Sequence, residues 1–220
     1  MEIRMRLERP GDFAQTEHCI REAFWNGYQP GCVEHYLMHR LRESPAFIPE
    51  LDVVALDGET VVGHVVCTRA QILCDGGGVH PVLCLGPIAV LPEYQGQGLG
   101  GALIEEVSRR AQELEWDAIV LFGDPDYYSR HGFVAAEELG IRAQDDTYRA
   151  ALQARVLQNA VPRGRFREDP VFDVDPEAAE AFDRRFPKEE KLADTPRQLR
   201  FRQVAAMGKR ADGARPENVK

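Results

Sequence analysis

The sequence lacks the features that mark membrane, secreted or metal-binding proteins. It contains no run of about 18 apolar residues, so we expect no membrane-spanning helix. Its opening residues, MEIRMRLERP, include no apolar stretch like that of a secretory signal. The cysteines number 5, an odd count, and form no CxxC pair, which favours reduced thiols over disulfides or metal ligands. We therefore expect a cytoplasmic protein with no metal site and no membrane partner.

The chain has fewer positive than negative charges. The chain has 27 Lys and Arg against 36 Asp and Glu, which gives a net charge of −9. This balance argues against a nucleic-acid-binding protein, because the phosphate backbone attracts basic surfaces. The length of 220 residues is enough for one domain with a substantial apolar core, with or without an extension.

The order of predicted elements indicates an α/β domain over residues 1–160. Hydrophobic periodicity and turn residues predict a strand, two helices, three antiparallel strands, a long helix and two further strands. Their predicted ranges are 2–7, 12–24, 32–43, 51–57, 60–73, 79–90, 98–115, 117–122 and 149–158. Because a helix joins 79–90 to 117–122, these two strands should run parallel. Pro87 cannot donate to a ladder hydrogen bond, which predicts a bulge or a break in pairing there.

A C-terminal extension follows over residues 161–206. Asp175 and Pro176 are a typical cap and first residue of a helix, and this helix is short and amphipathic. We expect the extension to pack on the core or on a second copy of the chain, so a homodimer is one expectation. Residues 207–220 are polar, and we expect them to be disordered.

The segment Leu85–Gly101, LGPIAVLPEYQGQGLGG, predicts a strand, a glycine-rich loop and the start of a helix. Exposed backbone N–H groups at a helix N-terminus favour an anion, so the loop should hold a phosphate or a pyrophosphate. A nucleoside triphosphate is disfavoured because no Lys follows the glycines. A dinucleotide remains an alternative, since the glycines satisfy GxGxxG, but residues 92–95 separate them from the preceding strand.

Two motifs together resemble the GNAT N-acetyltransferase superfamily. Residues 95–100, QGQGLG, fit its [RQ]xxGx[GA] signature, and residues 128–133, YSRHGF, fit its Yx[KR]xGF motif. The order and spacing of the two motifs also match. The resemblance covers roughly residues 3–158, and GDPDYYSRHGF is similar to a bacterial branch of the superfamily with poorly defined substrates.

This resemblance implies a mixed, mostly antiparallel central sheet with a splayed parallel strand pair and helices on both faces. It implies acetyl-CoA as the co-substrate, with no metal, and an unidentified primary amine as the acceptor. The acetyl group would pass by direct attack in a ternary complex. The implied cofactor-binding residues are Ile88, Ala89, Val90, Gln95, Gly96, Gln97, Gly98, Leu99, Gly100, Gly101, Asp124, Tyr128 and Arg130.

Acetyl transfer needs an acid for the leaving thiolate and a base for the amine. The resemblance assigns the acid role to Tyr128, whose phenol stays protonated at neutral pH. His64 is a candidate base on a predicted strand, although a lone strand histidine is more often structural. His80, Glu93 and His131 are weaker candidates, and a proton relay through water is equally compatible. A non-catalytic CoA-binding sensor or scaffold is the alternative function.

Overall fold

The computed structural model describes residues 3–211. The chain forms a mixed α/β fold with a large central sheet. The helices are α1 (Phe13–Phe24), α2 (Glu34–Leu41), α3 (Leu99–Glu113), α4 (Pro125–Tyr128), α5 (Pro176–Asp183) and α6 (Pro196–Ala206). The strands are β1 (Ile3–Leu7), β2 (Phe47–Asp57), β3 (Thr60–Cys74), β4 (Val79–Val90), β5 (Ala118–Phe122), β6 (Val134–Ala135), β7 (Ile141–Arg142), β8 (Thr147–Arg149), β9 (Leu152–Val156), β10 (Gly164–Arg167) and β11 (Gly208–Arg210). Within the described range, no helix is long and apolar enough to cross a membrane.

The central sheet has 9 strands in the order β1-β2-β3-β4-β5-β9-β6, with β10 beside β3 and β7 beside β10. Only β4–β5 and β7–β10 pair in parallel among these strands. Helices cover both faces. A Cβ on Gly63 would lie 3.0 Å from Leu103 of α3, whereas Val66, on the other face, lies near Leu41 of α2. The predicted fold class is therefore confirmed.

A bulge in β4 opens the sheet beside the glycine loop. The β3–β4 register runs from Val65↔Ile88 to Cys67↔Leu85, so β4 carries an extra residue at Gly86-Pro87. The parallel pairing of β4 with β5 ends just before, at Cys84↔Val120. The predicted effect of Pro87 is confirmed. The cause is the proline ring, which removes one ladder donor at this position.

The bulge leaves an open backbone edge on β4. Leu91 N–H donates to Val62 O at 3.0 Å, in register with the strand pairing. Hydrogen-bonded pairs alternate along an antiparallel ladder, so Ile88 and Val90 occupy the positions that do not bond to β3. Their N–H and C=O groups point away from β3, towards the side where β5 has separated.

The C-terminal segment is tied to the rest of the chain by a buried arginine. Arg21 of α1 is fully buried, and its Nε donates to Asp183 Oδ1 at 2.7 Å. It also pairs with Glu189 and donates to Pro187 O at 3.0 Å. A buried guanidinium needs such partners, so this cluster positions the segment between α5 and α6.

Regular secondary structure continues beyond residue 206, the predicted end of the C-terminal extension. Gly208–Arg210 forms β11 and pairs with Thr147–Arg149 of β8, contrary to the expectation of a disordered tail from residue 207. This small strand pair was missed because neither segment shows a hydrophobic alternation. Residues 212–220 lie outside the described range.

Candidate active site

A cavity of about 820 Å³ lies where β4 and β5 separate. One end is formed by the glycine loop and the first turn of α3. The walls come from the open half of β4, from α4 and from the region of α1 and α2. The segment after β10 and the helix α6 complete the lining. The cavity thus joins the predicted anion site to the C-terminal segment.

The loop end of the cavity has the geometry of an anion site. Gly98 is the N-cap of α3, and its φ of +85° is the left-handed conformation that glycine adopts without strain. The first intrahelical bond runs from Ala102 N–H to Gly98 O at 3.0 Å. The N–H groups of Leu99, Gly100 and Gly101 therefore have no partner within the helix. These free donors lie at the positive end of the helix dipole, so the site favours binding of a phosphate.

The structure brings most of the predicted binding residues to this cavity. Those that line it are Ile88, Val90, Gln95, Gly96, Gly98, Leu99, Gly100, Gly101, Asp124, Tyr128 and Arg130. Ala89 and Gln97 do not line it. Ala89 is 2% exposed and pairs with His64 in the sheet. The Gln97 amide turns back to donate to Glu93 O at 3.0 Å.

His64 lies away from the cavity, contrary to the expectation that it could reach the acceptor. Its side chain is fully buried, and its Nε2 lies 2.7 Å from Asp52 Oδ1. Burial lowers the pKa of His64 to about 4 and raises that of Asp52 to about 6. Strand alternation correctly indicated which face His64 occupies, but helices cover that face. The weaker candidate His80 lies near Asp117, with 3.2 Å between Nε2 and Oδ2, and also lies outside the cavity.

Tyr127 and Tyr128 line the cavity from α4. The Tyr128 ring packs against Phe133, with 5.5 Å between the centroids. Burial raises the pKa of Tyr128 above its ordinary value, so the phenol is protonated at neutral pH. Among residues 3–211, its hydroxyl has no hydrogen-bond partner. The Tyr127 hydroxyl instead occupies the space beside Gly100, where a Cβ would overlap it.

Asp124 has two structural tasks. As the N-cap of α4 it accepts from Asp126 N–H at 3.0 Å, as its sequence position predicted. It also pairs with Arg200 of α6, with 3.2 Å between Arg200 Nη2 and Asp124 Oδ1. This exposed pair links α6 to the start of α4 at the edge of the cavity.

The sequence reasoning missed several cavity residues. From α6, Arg197 and Phe201 line the cavity, and the Phe201 ring lies 4.5 Å from that of Tyr28. The half-buried carboxylates Glu34 and Glu168 also line it. Burial raises the pKa of each above its ordinary value. No local pattern marks any of these residues, because distant parts of the chain bring them together.

Known proteins are similar to this chain in sequence and in fold. Residues 50–135 match the acetyltransferase (GNAT) domain family. The uncharacterized N-acetyltransferase YhbS of Escherichia coli is 31% identical over 161 residues, which cover 73% of this chain and 90% of YhbS. The uncharacterized N-acetyltransferase YjhQ of E. coli is 36% identical over 98 residues, or 44% of this chain. That match spans only 53% of the length of YjhQ.

Two solved structures are similar over most of the chain. The crystal structure of E. coli YhbS in complex with CoA superposes with a TM-score of 0.69 at 28% identity, covering 79% of this chain and 93% of YhbS. A GNAT family acetyltransferase from Brucella melitensis, in complex with acetyl-CoA, superposes with a TM-score of 0.65 at 29% identity. That superposition covers 78% of this chain and 99% of the Brucella protein.

The fold and the similar proteins define an acyl-CoA-dependent acetyltransferase. The chain belongs to the GNAT family, as the two sequence motifs had indicated.

Proposed function

We propose that this protein transfers the acetyl group of acetyl-CoA to a primary amine by direct attack in a ternary complex. The amine belongs to a small molecule or to a protein. One observation carries the proposal. A single cavity joins an anion-binding loop, an open strand edge and a half-buried tyrosine whose pKa is raised.

Acetyl-CoA would be held by the glycine loop and by the open edge of β4. Its pyrophosphate would accept hydrogen bonds from the free N–H groups at the start of α3. Its amide-bearing arm would pair with the backbone of Ile88 and Val90, as an added strand does. The Gln95 side chain donates to Val90 O at 2.8 Å, which fixes the loop against the strand. Both similar structures named above hold CoA or acetyl-CoA, which supports this assignment.

In the reaction, the acetyl group passes directly from sulfur to nitrogen. The neutral amine attacks the thioester carbonyl, the C–N bond forms, and the C–S bond then breaks. Tyr128 gives its phenolic proton to the departing sulfur and regains a proton from the nitrogen of the tetrahedral intermediate. The raised pKa of Tyr128 suits this role, because the phenol never loses its proton to water at neutral pH.

The cysteine of the cavity is poorly suited to form a covalent acetyl-enzyme intermediate. Cys84 is the cysteine that lines the cavity. Its pKa is raised well above the ordinary value by burial, and the neighbouring Glu168 carboxylate raises it further. A nucleophilic cysteine needs the opposite environment. Incubation with acetyl-CoA alone should therefore leave the protein unacetylated by mass spectrometry, and an acetyl adduct on Cys84 would contradict direct transfer.

The proposal is tested by Tyr128→Phe, which removes only the hydroxyl. Affinity for acetyl-CoA should be nearly intact by calorimetry. The value of kcat for release of the CoA thiol should fall by about 10²- to 10⁴-fold, the usual effect of one positioned acid. The assay uses a panel of alkyl, aromatic and lysine-peptide amines.

Tyr127→Phe is the matched control, since it removes a hydroxyl from the same helix and the same cavity. Its kcat should fall far less. Equal turnover by wild type and Tyr128→Phe would assign the proton to another donor. Negligible turnover by all three proteins, with acetyl-CoA bound, would contradict amine acetylation.

A further inference from the structure

The end of the cavity far from the glycine loop contains Glu168, which directly follows β10. The pairing of Arg167 with Gln71 brings this residue back to the central sheet. Glu168 Oε2 lies 3.9 Å from Cys84 Sγ, and Cys84 is the last residue of β4 paired with β5. Glu168 therefore lies where the strands begin to separate, roughly 20 Å of strand away from Val90 and the glycine loop.

Glu168 is a half-buried carboxylate without a cationic partner. Its contact is the Cys84 thiol, and no Lys or Arg among residues 3–211 forms an ion pair with it. By contrast, the shielded carboxylates of Glu8 and Glu17 both pair with Arg42, at 2.8 and 2.6 Å. Because an uncompensated carboxylate in a cavity is costly, Glu168 favours a cationic ligand.

Glu34 is another half-buried carboxylate of the cavity, but it accepts hydrogen bonds from its own segment. Its Oε2 accepts from Val33 N–H at 3.0 Å and from the Cys32 thiol at 3.2 Å. Arg197 adds a favourable charge interaction. These contacts account for Glu34 as a local structural group, which leaves Glu168 as the group available to a ligand.

A smaller cleft of about 250 Å³ also opens onto Glu168. It shares Phe122 and Glu168 with the main cavity. Asp145 and Arg149 also line this cleft and form an ion pair of 2.5 Å with each other. Among the described residues, this pair supplies the other charged groups of the cleft, and the Cys84 thiol contacts Glu168 from the main cavity. The cleft gives an acceptor a route to Glu168 that does not cross the glycine loop.

We propose that Glu168 binds the acceptor as a primary ammonium ion and accepts one proton from it. This inference rests on the proposed function. The carboxylate becomes a carboxylic acid and the ammonium becomes a neutral amine, which then attacks the thioester. Tyr128 then protonates the departing sulfur and takes a proton from the nitrogen of the intermediate. Glu168 releases its own proton to water when the amide product leaves. Phe122 and Phe172, which also line the cavity, favour an acceptor with an apolar body next to its amine.

The test compares wild type with Glu168→Gln and Glu168→Asp in the full chain. The probes are 2-phenylethylamine, hexylamine, spermidine and a lysine-containing peptide, with 2-phenylethanol as the uncharged control. For any amine that is acetylated, Glu168→Gln should raise KM and lower kcat/KM by about 100-fold or more at pH 7. Affinity for acetyl-CoA should not change. Glu168→Asp should recover part of the activity.

The pH profile separates a proton acceptor from a structural residue. The deficit of Glu168→Gln should shrink as the pH approaches about 10, where an alkylamine loses its proton without help. The melting temperature should not fall, because Gln removes a charge whose burial is unfavourable. A deficit that persists at all pH values would overturn the role as proton acceptor.

The other outcomes are also decisive. If Glu168→Gln matches wild type and Glu34→Gln loses activity, Glu34 takes the proton and this inference is wrong, while amine acetylation stands. If no amine in the panel is acetylated although acetyl-CoA binds, both the proposed function and this inference are overturned. Acetylation of 2-phenylethanol as readily as of 2-phenylethylamine would also overturn the ammonium site.

Discussion

The N-terminal end of α3 offers a test of coenzyme binding with a matched control. Gly98 and Gly77 both have positive φ angles, +85° and +90°. A Cβ built on either would meet nothing within 4 Å. Only Gly98 lines the cavity, whereas Gly77 lies in the turn between β3 and β4. Alanine at either position adds the same backbone strain, so the two variants differ only in where the methyl group projects.

The expected magnitudes follow from this geometry. Each variant should lose about 1–2 kcal/mol of folding stability, the cost of a left-handed conformation for an L-residue. In Gly98→Ala, the methyl group also stands where the phosphate approaches the free N–H groups. Loss of one charge-assisted hydrogen bond, about 1.5–3 kcal/mol, weakens acetyl-CoA binding by about 10- to 150-fold.

Thermal unfolding with and without acetyl-CoA measures both effects. At 100 times its Kd, the ligand should stabilise wild type and Gly77→Ala by about 2.7 kcal/mol. At the same concentration, a variant with 100-fold weaker affinity would gain only about 0.4 kcal/mol. NAD should stabilise none of the three proteins. Equal stabilisation of Gly98→Ala and Gly77→Ala by acetyl-CoA would show that the phosphates bind elsewhere. Stabilisation by NAD but not by acetyl-CoA would instead support a dinucleotide as the ligand.

Two further predictions concern buried charges. Arg21→Leu should lower the free energy of unfolding, measured in urea, by about 3 kcal/mol, because it leaves the Asp183 carboxylate without its buried partner. The control Arg109→Leu breaks exposed ion pairs and should cost less than about 1 kcal/mol. Similar losses in the two variants would contradict this account. In Asp52→Asn, the free energy of unfolding should fall by up to about 3 kcal/mol from pH 6.5 to pH 4. Burial lowers the pKa of His64 to about 4, so over this range the unfolded chain binds a proton that the folded chain does not. Wild type should be nearly flat over this range, because Asp52, with a pKa raised to about 6, keeps in the fold the proton that His64 gives up; unfolding midpoints at both pH values check this.

Local sequence patterns were enough to predict the backbone geometry at the loop end of the cavity. The glycines of the loop, the N-cap at Asp124 and the bulge at Pro87 each follow from interactions between residues close together in the chain. Glycine relieves strain at positive φ, a capping carboxylate meets the first free N–H groups, and proline removes a ladder donor. Such effects do not depend on what packs nearby, so the sequence by itself determined them.

The proposed acceptor half of the site depends on tertiary structure. Strand alternation indicated the face of His64 but not that Asp52 would bury and bond it. Glu168 meets Cys84 across 84 positions of sequence, only because β10 returns to pair with β3. Arg200 meets Asp124 across 76 positions through α6. The free energy of such contacts comes from burial and charge pairing between distant segments, and these exist only once the sheet has assembled and the C-terminal segment has packed against it.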